Sequence, residues 1–325
     1  GKKYPKYFRK EHVHYYNDQE EDLALINYTS GTTGFSKGVM LPYRALWSNI
    51  SFVERAIGSK LPKNANALSI LPMAHMYGMA CEFLLQFCIG NHQFFLTRLP
   101  SPTVIQAAMA EIHPCVVISV PLIIEKIIRK KIFPLITPSL RLLMRMPGIG
   151  KKVRQHICDL VKQEMGGNAY EVVVGGAGLN KEIETFLVEI GFPITMGYGT
   201  TETGPLITFS DWHDFEPGSC GTVVDNMEMK VLSPDPVNVP GEVISRGLNV
   251  MLGYYKNEQA TKATIDEDGW FHTGDLGRIS ADGHLFIRGR IKNMLLGSNG
   301  QNVYPEEIED KLNSMTMVGE SLIVQ

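Results

Sequence analysis

The residues most suited to chemistry form a short segment near the start of the sequence, residues 28–38. Threonines, serines, three glycines and Lys37 lie together there. Glycines let backbone N–H groups approach an anion, hydroxyls donate further hydrogen bonds, and the lysine supplies positive charge. We therefore predict a phosphate-binding loop, with a flexible loop that binds nothing as the alternative. It is not a Walker A loop, because no glycine precedes Lys37 and no Ser or Thr follows it.

A second segment, residues 197–204, places a carboxylate among hydroxyls. It reads Gly-Tyr-Gly-Thr-Thr-Glu-Thr-Gly and follows a predicted strand. Open α/β sheets bind their ligands at the carboxyl ends of the strands. Glu202 offers carboxylate oxygens to Mg²⁺, and Tyr198 offers a ring that can stack on a base. The alternative is an ordinary turn with a solvated Glu202.

Three further segments are weaker when each is taken alone. Small residues at 175–178 let a planar ring lie against the backbone, although a tight turn is the simpler interpretation. Asp275, which follows Gly274, suits the diol of a ribose, with a hairpin turn as the alternative. The three cations at 288–292 can reach ribose or phosphate, or they can form a solvated face.

The elements that must position these segments follow from the order of apolar runs. Strands are predicted at 23–28, 67–71, 114–120, 170–174 and 193–196, and helices at 42–58, 102–112, 121–132, 151–165 and 181–190. Ser101 is the predicted cap of the second helix, with Pro102 at its first position, and Asn180 caps the last. Strands that alternate with helices predict an α/β fold with a doubly wound, mostly parallel sheet.

The pattern changes after residue 210. Short strands at 227–232, 241–246, 274–279 and 284–288 are separated by turn dipeptides, which predicts a small antiparallel β subdomain. A helix at 305–312 with acids in its first turn indicates the start of a C-terminal α+β domain. We divide the chain into a nucleotide- and acyl-binding core (1–210) whose N-terminal part is missing, a β-rich subdomain (211–289), and a hinge with the start of a truncated domain (290–325).

Composition excludes several functional classes. The formal net charge of −3 has the wrong sign for a protein that binds nucleic acid through its phosphates. Five cysteines without a CxxC pair argue against a disulfide framework or a zinc site and favour a reducing compartment. No signal peptide and no apolar run of membrane-spanning length is visible in the sequence. We expect a cytoplasmic protein and leave peripheral membrane contact open.

Taken in order, these segments resemble the adenylate-forming superfamily, which contains acyl-CoA synthetases, luciferases and the adenylation domains of peptide synthetases. The resemblance runs from Tyr28 to about Glu309 and also includes residues 241–254. It implies that ATP, Mg²⁺ and coenzyme A are bound, with acyl transfer through an acyl-AMP intermediate. A carboxylate first attacks the α-phosphorus and pyrophosphate leaves; the thiolate of coenzyme A then attacks the acyl carbonyl and AMP leaves.

The resemblance also implies a role for each matching residue. The β- and γ-phosphates bind the first segment, namely Thr29, Ser30, Gly31, Thr32, Thr33, Gly34 and Lys37. Adenine contacts the turns after two strands, namely Gly175, Gly176, Ala177, Met196, Gly197, Tyr198 and Gly199. Thr201 and Glu202 contact the α-phosphate, and Thr29 and Glu202 hold Mg²⁺. Asp275 binds the ribose hydroxyls with Arg290, and Lys292 is the hinge about which the C-terminal domain rotates between the two half-reactions.

The acid substrate is inferred from residues 71–78, which resemble the segment lining the acyl pocket in the superfamily. His75 there lies near the carboxylate of the acid, and no acidic residue that could bind an amino group appears before Glu82. Residues 120–127 and 295–303 resemble the long-chain fatty acyl-CoA branch. Met73 and Met76 suit a flexible chain, whereas Met79 is interpreted as a core residue. We predict a fatty acid as substrate and leave its chain length open.

Two alternatives to a fatty acid–CoA ligase remain. One is a ligase that loads an acyl carrier protein, and the other is a non-catalytic fragment of the fold. The lysine that the superfamily uses for adenylation has no counterpart up to Gln325. We therefore expect a piece of a longer protein that turns over little or no substrate alone. Its oligomeric state is not predicted.

Overall fold

The structure is a computed structural model that describes residues 9, 12, 18–29, 36–296, 302–313, 315, 318 and 321–323. The strands of this part of the chain are β1 (Leu23–Thr29), β2 (Lys37–Pro42), β3 (Asn66–Ser69), β4 (His92–Phe95), β5 (Val116–Ser119), β6 (Glu171–Val174), β7 (Ile194–Met196), β8 (Thr208–Phe209), β9 (Thr222–Val223), β10 (Met227–Leu232), β11 (Gly241–Gly247), β12 (Gly253–Tyr254), β13 (Phe271–Ile279), β14 (Leu285–Arg290), β15 (Leu295–Leu296) and β16 (Asn302–Val303).

The helices surround and connect these strands. Those of the described residues are α1 (Tyr43–Ala56), α2 (Leu85–Cys88), α3 (Pro102–Ile112), α4 (Pro121–Ile127), α5 (Pro138–Arg145), α6 (Ile149–Glu164), α7 (Lys181–Glu189), α8 (Glu258–Lys262) and α9 (Pro305–Asn313). Wider π-helical turns lie at Gly78–Leu84 and Ile128–Ile132, and short 3-10 turns at Gly58–Lys60, Phe133–Leu135, Thr201–Thr203 and Ile291–Asn293.

A parallel sheet with strand order β4-β3-β5-β6-β7 forms the centre of the fold. Successive side chains of a strand point to opposite faces. Val172 and Val174 of β6 therefore pack in one core with α3, α6 and α7, whereas Val173 packs in a second core with α1. Burial on both faces explains why these strands are continuous apolar runs. The predicted α/β fold with a doubly wound parallel sheet is confirmed.

Separate antiparallel sheets accompany the parallel one. One has the order β10-β11-β13-β14 and accounts for the predicted β-rich region. Another has the order β1-β2-β12. Because β12 comes from the 211–289 region and pairs with β2, the two regions share a sheet. The proposed division of the chain at residue 210 stays a prediction.

A strand that the sequence did not predict, β2, follows the predicted phosphate loop. The loop joins two antiparallel strands, because Thr29 of β1 lies opposite Lys37 of β2. Helix α1 begins only at Tyr43, six residues after Lys37, so its N-terminus does not close the loop. The helix predicted at 42–58 is confirmed as α1, whereas the strand β2 between the loop and this helix was not predicted. The run at 37–42 pairs with β1 on one side and with β12 on the other, and β12 is distant from it in the sequence.

No helix among the described residues is both long and apolar enough to cross a membrane.

Candidate functional site

The candidate residues gather at the carboxyl edge of the parallel sheet. Gly175 follows β6 and Gly197 follows β7, and the Gly197 N–H donates to the Val174 carbonyl over 3.1 Å. The Gly175 N–H likewise donates to the Ser119 carbonyl at the end of β5, over 3.1 Å. Three neighbouring strands therefore end together, at the position where open α/β sheets bind ligands.

The 175–177 turn presents backbone with little side chain on it. A Cβ at Gly175 would lie 3.0 Å from the ring of Tyr77, so this ring packs directly on the glycine. The Tyr77 hydroxyl donates to the Val173 carbonyl over 3.1 Å, and burial raises the pKa of this phenol well above its ordinary value. Gly176 has a φ of +86° and, like Ala177, is exposed. The backbone at Gly176 and Ala177 can therefore receive a flat ring.

The acid-bearing turn at 197–204 is rigid for two local reasons. A Cβ at Gly199 would come within 1.8 Å of the Pro205 carbonyl oxygen, so this position requires glycine. The Thr200 N–H donates to the Thr203 hydroxyl over 3.1 Å, which caps the turn at Thr201–Thr203. Thr201 and Glu202 lie half-buried on the first residues of that turn.

Glu202 and Lys37 contact the same side chain, that of Tyr254 on β12. The Tyr254 hydroxyl donates to Glu202 Oε1 over 2.8 Å, and Lys37 Nζ lies 4.7 Å from the centre of the Tyr254 ring. Burial and the charge of Glu202 raise the pKa of Tyr254, which keeps its hydroxyl a donor. Tyr254 therefore brings the phosphate-loop lysine and the predicted magnesium ligand close together.

A buried asparagine of α1 holds the acid-bearing turn in place. Asn49 Nδ2 donates to the Thr203 carbonyl over 3.1 Å, and Asn49 Oδ1 accepts from the Leu206 N–H over 3.1 Å. The Glu202 carbonyl accepts from the Met251 N–H over 2.8 Å, just before β12. These contacts hold the backbone of the turn that carries Glu202.

Asp275 forms a second cluster with Tyr198 and Arg290. The Tyr198 hydroxyl donates to Asp275 Oδ2 over 2.7 Å, and Arg290 Nε lies 3.0 Å from Asp275 Oδ1. Burial raises the pKa of Asp275 above its usual range; Tyr198 and Arg290 oppose that shift, while Glu202 and Glu242 add to it. Each carboxylate oxygen can accept a further hydrogen bond, so the cluster fits the diol of a ribose.

Two of the predicted adenine contacts have restricted side chains. Met196 lies in β7 and its side chain is buried in the core beside β6, so only its backbone faces the site. The ring of Tyr198 packs against the small core of Val231, Val243 and Leu285. Burial raises the pKa of the Tyr198 phenol well above its ordinary value. Tyr198 is therefore fixed between that core and Asp275.

The predicted hinge residue follows the Asp275 cluster directly. Lys292 lies in the 3-10 turn after β14, two residues beyond Arg290, and is exposed. Asn293 Nδ2 donates to Glu306 Oε1 of α9 over 2.7 Å. Helix α9 packs against β14, where a Cβ at Gly289 would lie 2.7 Å from Glu306 Oε2.

His75 lies in an exposed turn that two contacts tie to the site. Asn27 Nδ2 of β1 donates to the Ala74 carbonyl over 2.9 Å, and Tyr77 packs on Gly175. His75 and Met73 are exposed, whereas Met76 is only 2% exposed and belongs to the second core. The prediction that Met76 faces an acyl chain was therefore wrong, because its side chain is already packed.

The structure describes only the two ends of the phosphate loop. Thr29 lies at the end of β1, opposite Lys37. Ser30, Gly31, Thr32, Thr33 and Gly34 lie outside the described residues, and their phosphate contacts stay predictions.

Three side chains matter here that the sequence patterns did not single out. Tyr254 joins Lys37 to Glu202, Tyr77 packs on Gly175, and Asn49 holds the 203–206 turn. Tyr254 and Tyr77 lie in the segments 241–254 and 71–78 but were given no role there. Asn49 had no sequence signal, because its partners in the 203–206 turn are more than 150 positions away.

The oxygen and nitrogen groups present fit ATP and a magnesium ion. Glu202 is a hard oxygen ligand of the type Mg²⁺ prefers. The Tyr254 hydroxyl already donates a hydrogen bond to Oε1 of that carboxylate. Among the described residues, no hydrogen bond engages Glu202 Oε2, and this oxygen is suited to a metal.

Comparison with known proteins points in the same direction. Residues 3–255 match the family described as AMP-binding enzyme. The 4-coumarate–CoA ligase CCL1 of Humulus lupulus is 32% identical over 322 residues, covering 94% of this chain and 53% of the relative. The 4-coumarate–CoA ligase 5 of Oryza sativa subsp. japonica is 31% identical, covering 94% of this chain and 54% of the relative. The chain therefore spans about half the length of the curated relatives it matches.

Solved structures share the fold. ATP-bound MatB from Rhodopseudomonas palustris aligns with a TM-score of 0.73 at 27% identity, covering 94% of this chain and 55% of that protein. The o-succinylbenzoate CoA synthetase MenE from Bacillus subtilis, in complex with ATP and magnesium ion, aligns with a TM-score of 0.73 at 24% identity, covering 93% and 57%. At that identity the second match supports the fold alone.

Proposed function

The chain belongs to the AMP-binding enzyme family, and on that premise we propose that it forms the nucleotide- and acid-binding part of an AMP-forming acid–CoA ligase. In the first half-reaction a carboxylate oxygen attacks the α-phosphorus of ATP, which forms acyl-AMP and releases pyrophosphate. In the second, the thiolate of coenzyme A attacks the acyl carbonyl and AMP leaves with the bonding electron pair.

The observation that carries the proposal is the contact of Tyr254 with both Lys37 and Glu202. A triphosphate needs positive charge and a metal ligand on the same side of one pocket. Lys37 supplies the charge and Glu202 the ligand, and Tyr254 fixes their separation. Bound Mg²⁺ would neutralise charge on the phosphates; the chain's own residues contribute by positioning and by charge.

Each cluster then has one task in the proposed site. Asp275 accepts hydrogen bonds from the ribose hydroxyls, with Tyr198 and Arg290 orienting its carboxylate. The 175–177 turn, exposed at Gly176 and Ala177, receives the adenine ring, and Lys37 with the rest of its loop binds the β- and γ-phosphates. His75 lies near the carboxylate of the acid, and Lys292 provides the hinge.

We propose a fatty acid as the acid substrate. An amino acid would need a carboxylate to bind its ammonium group, and Glu82 does not provide one. Its oxygens accept from the backbone N–H groups of Ile70 and Leu71 over 3.1 and 2.8 Å, and the residue is 1% exposed. The resemblance of residues 120–127 and 295–303 to the long-chain branch favours a long acyl chain.

An aromatic acid is the second candidate, because the relatives reported above are named 4-coumarate–CoA ligases. Transfer to an acyl carrier protein is the alternative for the acceptor. Both alternatives use the same adenylation chemistry as the main proposal. The aromatic candidate changes only the acid, and the carrier-protein alternative changes only the thiol that accepts the acyl group.

The site is tested by removing one hydroxyl, with Tyr254→Phe. This variant keeps the ring over Lys37 and loses the hydrogen bond to Glu202, so affinity for ATP with Mg²⁺ should fall about fivefold to tenfold, measured by calorimetry. Tyr255→Phe is the matched control, because the neighbouring ring is exposed. Equal affinities of Tyr254→Phe and the parent, or no ATP binding by the parent, would contradict the proposed site.

The substrate is tested with the complete protein by measuring pyrophosphate release with fatty acids of several chain lengths and with 4-coumarate. Release that rises with long-chain acids supports the fatty acid proposal, and release with 4-coumarate alone supports the aromatic candidate. Coenzyme A and a carrier protein are then compared as acceptors.

ATP should also stabilise the fold by about 2.7 kcal/mol at 100 times its dissociation constant; absence of this shift would favour a non-catalytic fragment.

A further inference from the structure

The segment from α4 to α6 carries an unusual charge pattern. Between Glu125 and Asp159 the sequence contains nine lysines and arginines and no acidic residue, although acids outnumber bases in the whole chain, 34 to 31. We call residues 129–154 the basic surface. Its exposed cations are Lys130, Lys131, Arg141, Arg145, Lys151 and Lys152.

Large apolar side chains are exposed among these cations. The exposed fractions are 53% for Leu135, 66% for Leu142, 37% for Leu143, 42% for Met146 and 53% for Ile149. Single exposed apolar residues are ordinary, but a cluster of them indicates an interaction surface. The cluster lies along α5 and the turns on either side of it.

Packing onto the described residues of this chain does not account for these apolar side chains. Leu140 and Met144, four positions apart on α5, face inward and pack on the core beside β6. Leu142, Leu143, Met146 and Ile149 therefore form a second apolar group, on the outside. Leu140 and Met144 alone would suffice to pack α5 on the core, so the outer apolar group is not required for that packing.

The basic surface is held firmly in position. Thr137 caps α5, with its hydroxyl accepting from the Leu140 N–H over 3.2 Å. Arg154 of α6 donates to the Met144 carbonyl, and a Cβ at Gly150 would lie 2.4 Å from that same carbonyl oxygen. These contacts fix the α5–α6 corner from which the outer side chains project.

The surrounding charges leave most of these cations unneutralised. Glu182 and Glu189 of α7 line a cavity of about 280 Å³ together with Arg141 and Arg145. In the described part of the chain, Lys130, Lys131, Lys151 and Lys152 form no ion pair. The net charge of the basic surface is therefore positive.

We propose that the basic surface docks on an anionic lipid bilayer, with its leucines and Ile149 entering the headgroup region and its lysines contacting the headgroups. Exposed apolar residues among lysines and arginines are the features by which helices bind in the plane of a bilayer surface. Four of the six exposed cations are lysines, which are flexible point charges suited to many mobile headgroups rather than one fixed carboxylate. Nucleic acid fits less well, because the exposed members of the basic surface include no aromatic side chain for stacking.

The test is sedimentation of the full chain with lipid vesicles. The parent should bind phosphatidylcholine vesicles that contain phosphatidylglycerol, should bind pure phosphatidylcholine much less, and should be released by salt. Lys130→Gln/Lys131→Gln and Leu142→Ser/Ile149→Ser should each reduce partitioning about tenfold.

Matched controls are placed elsewhere on the exposed surface. Lys63→Gln/Lys262→Gln removes two exposed lysines, and Leu232→Ser/Val239→Ser removes two exposed branched apolar side chains. Both should bind vesicles as the parent does. All variants should keep the parent's Tm and its affinity for ATP, so a failure here is distinguishable from a failure of the proposed function. The proposal would be overturned if the parent did not bind anionic vesicles. That result is expected if the partner of the basic surface is an acidic protein instead of a bilayer. Equal loss in the controls would also overturn it.

Discussion

At the scale of single residues, the candidate site is held by hydrogen bonds between side chains far apart in the sequence. Tyr198 and Asp275 are 77 positions apart, and Tyr254 and Glu202 are 52 positions apart. Each bond joins a phenol to a carboxylate, which is stronger than a bond between neutral groups. The positions of Glu202 and Asp275 therefore depend on these two tyrosines.

Glu82 is a buried carboxyl group with a structural role beside the site. It accepts hydrogen bonds from the N–H groups of Ile70 and Leu71, just after β3, and from the Ser69 hydroxyl over 3.3 Å. Burial raises the pKa of Glu82 to about 7, and the backbone hydrogen bonds oppose that shift. Glu82 thus anchors the start of the turn that carries His75.

We expect Glu82→Ala to lower the free energy of unfolding by roughly 2–4 kcal/mol, because it leaves two buried N–H groups without an acceptor. Glu82→Gln keeps one acceptor oxygen and should cost less than half as much. Chemical denaturation measures both. Equal losses in the two variants would show that the acceptor role is unimportant.

At the scale of elements, local signals predict helix starts well. Helix α3 begins at Pro102, and the Ser101 hydroxyl accepts from the Val104 N–H over 3.3 Å, as predicted. Helix α7 begins after Asn180, whose side chain accepts from the Glu182 and Ile183 N–H groups over 3.1 and 3.4 Å. The Asn180 N–H also donates to Glu125 Oε1 of α4 over 2.8 Å, so this cap joins two helices.

The cap of α7 provides a test at this scale. Asn180→Ala should destabilise the protein by about 1 kcal/mol, since two N–H groups of the first turn lose their acceptor. Asn180→Ser, which keeps a capping oxygen, should be close to the parent. Urea denaturation of the parent and both variants measures these differences. A serine variant no more stable than the alanine variant would contradict the assignment of Asn180 as the cap of α7.

At the scale of the whole molecule, the parallel sheet has two edges with different roles. The carboxyl ends of β5, β6 and β7 carry the candidate site. Glu171 lies at the opposite end, as the first residue of β6, and its Oε1 accepts from the Trp212 N–H over 2.8 Å. Burial raises the pKa of Glu171 to about 8; Asp211 adds to that shift, and Lys60 opposes it.

This raised pKa predicts how stability depends on pH. The folded protein holds the Glu171 proton more tightly than the unfolded chain does. The stability that this proton contributes is therefore complete below the unfolded pKa of about 4.5 and is lost as pH rises through about 8. Between those values the parent should lose roughly 2–4 kcal/mol more stability than Glu171→Gln. Unfolding measured at several pH values in both proteins tests this, and parallel pH profiles would contradict it.

The sequence by itself determined the α/β class, most element positions and the segments that carry the candidate site. These depend on local chemistry: apolar runs that suit strands buried on both faces, oxygen side chains that cap helices, and glycines where a Cβ has no room, as at Gly199. Each of these requirements acts within a few residues, so it is visible as a pattern.

Only the tertiary structure decided which side chains meet. The run at 37–42 became a strand because β1 and β12 pair with it, Met76 entered the core, and Tyr254 came to lie between Lys37 and Glu202. The α4–α6 segment likewise acquired its exposed leucines through the packing of Leu140 and Met144 on the opposite side of α5. Contacts of this kind join residues tens to hundreds of positions apart, and no local pattern specifies the partner.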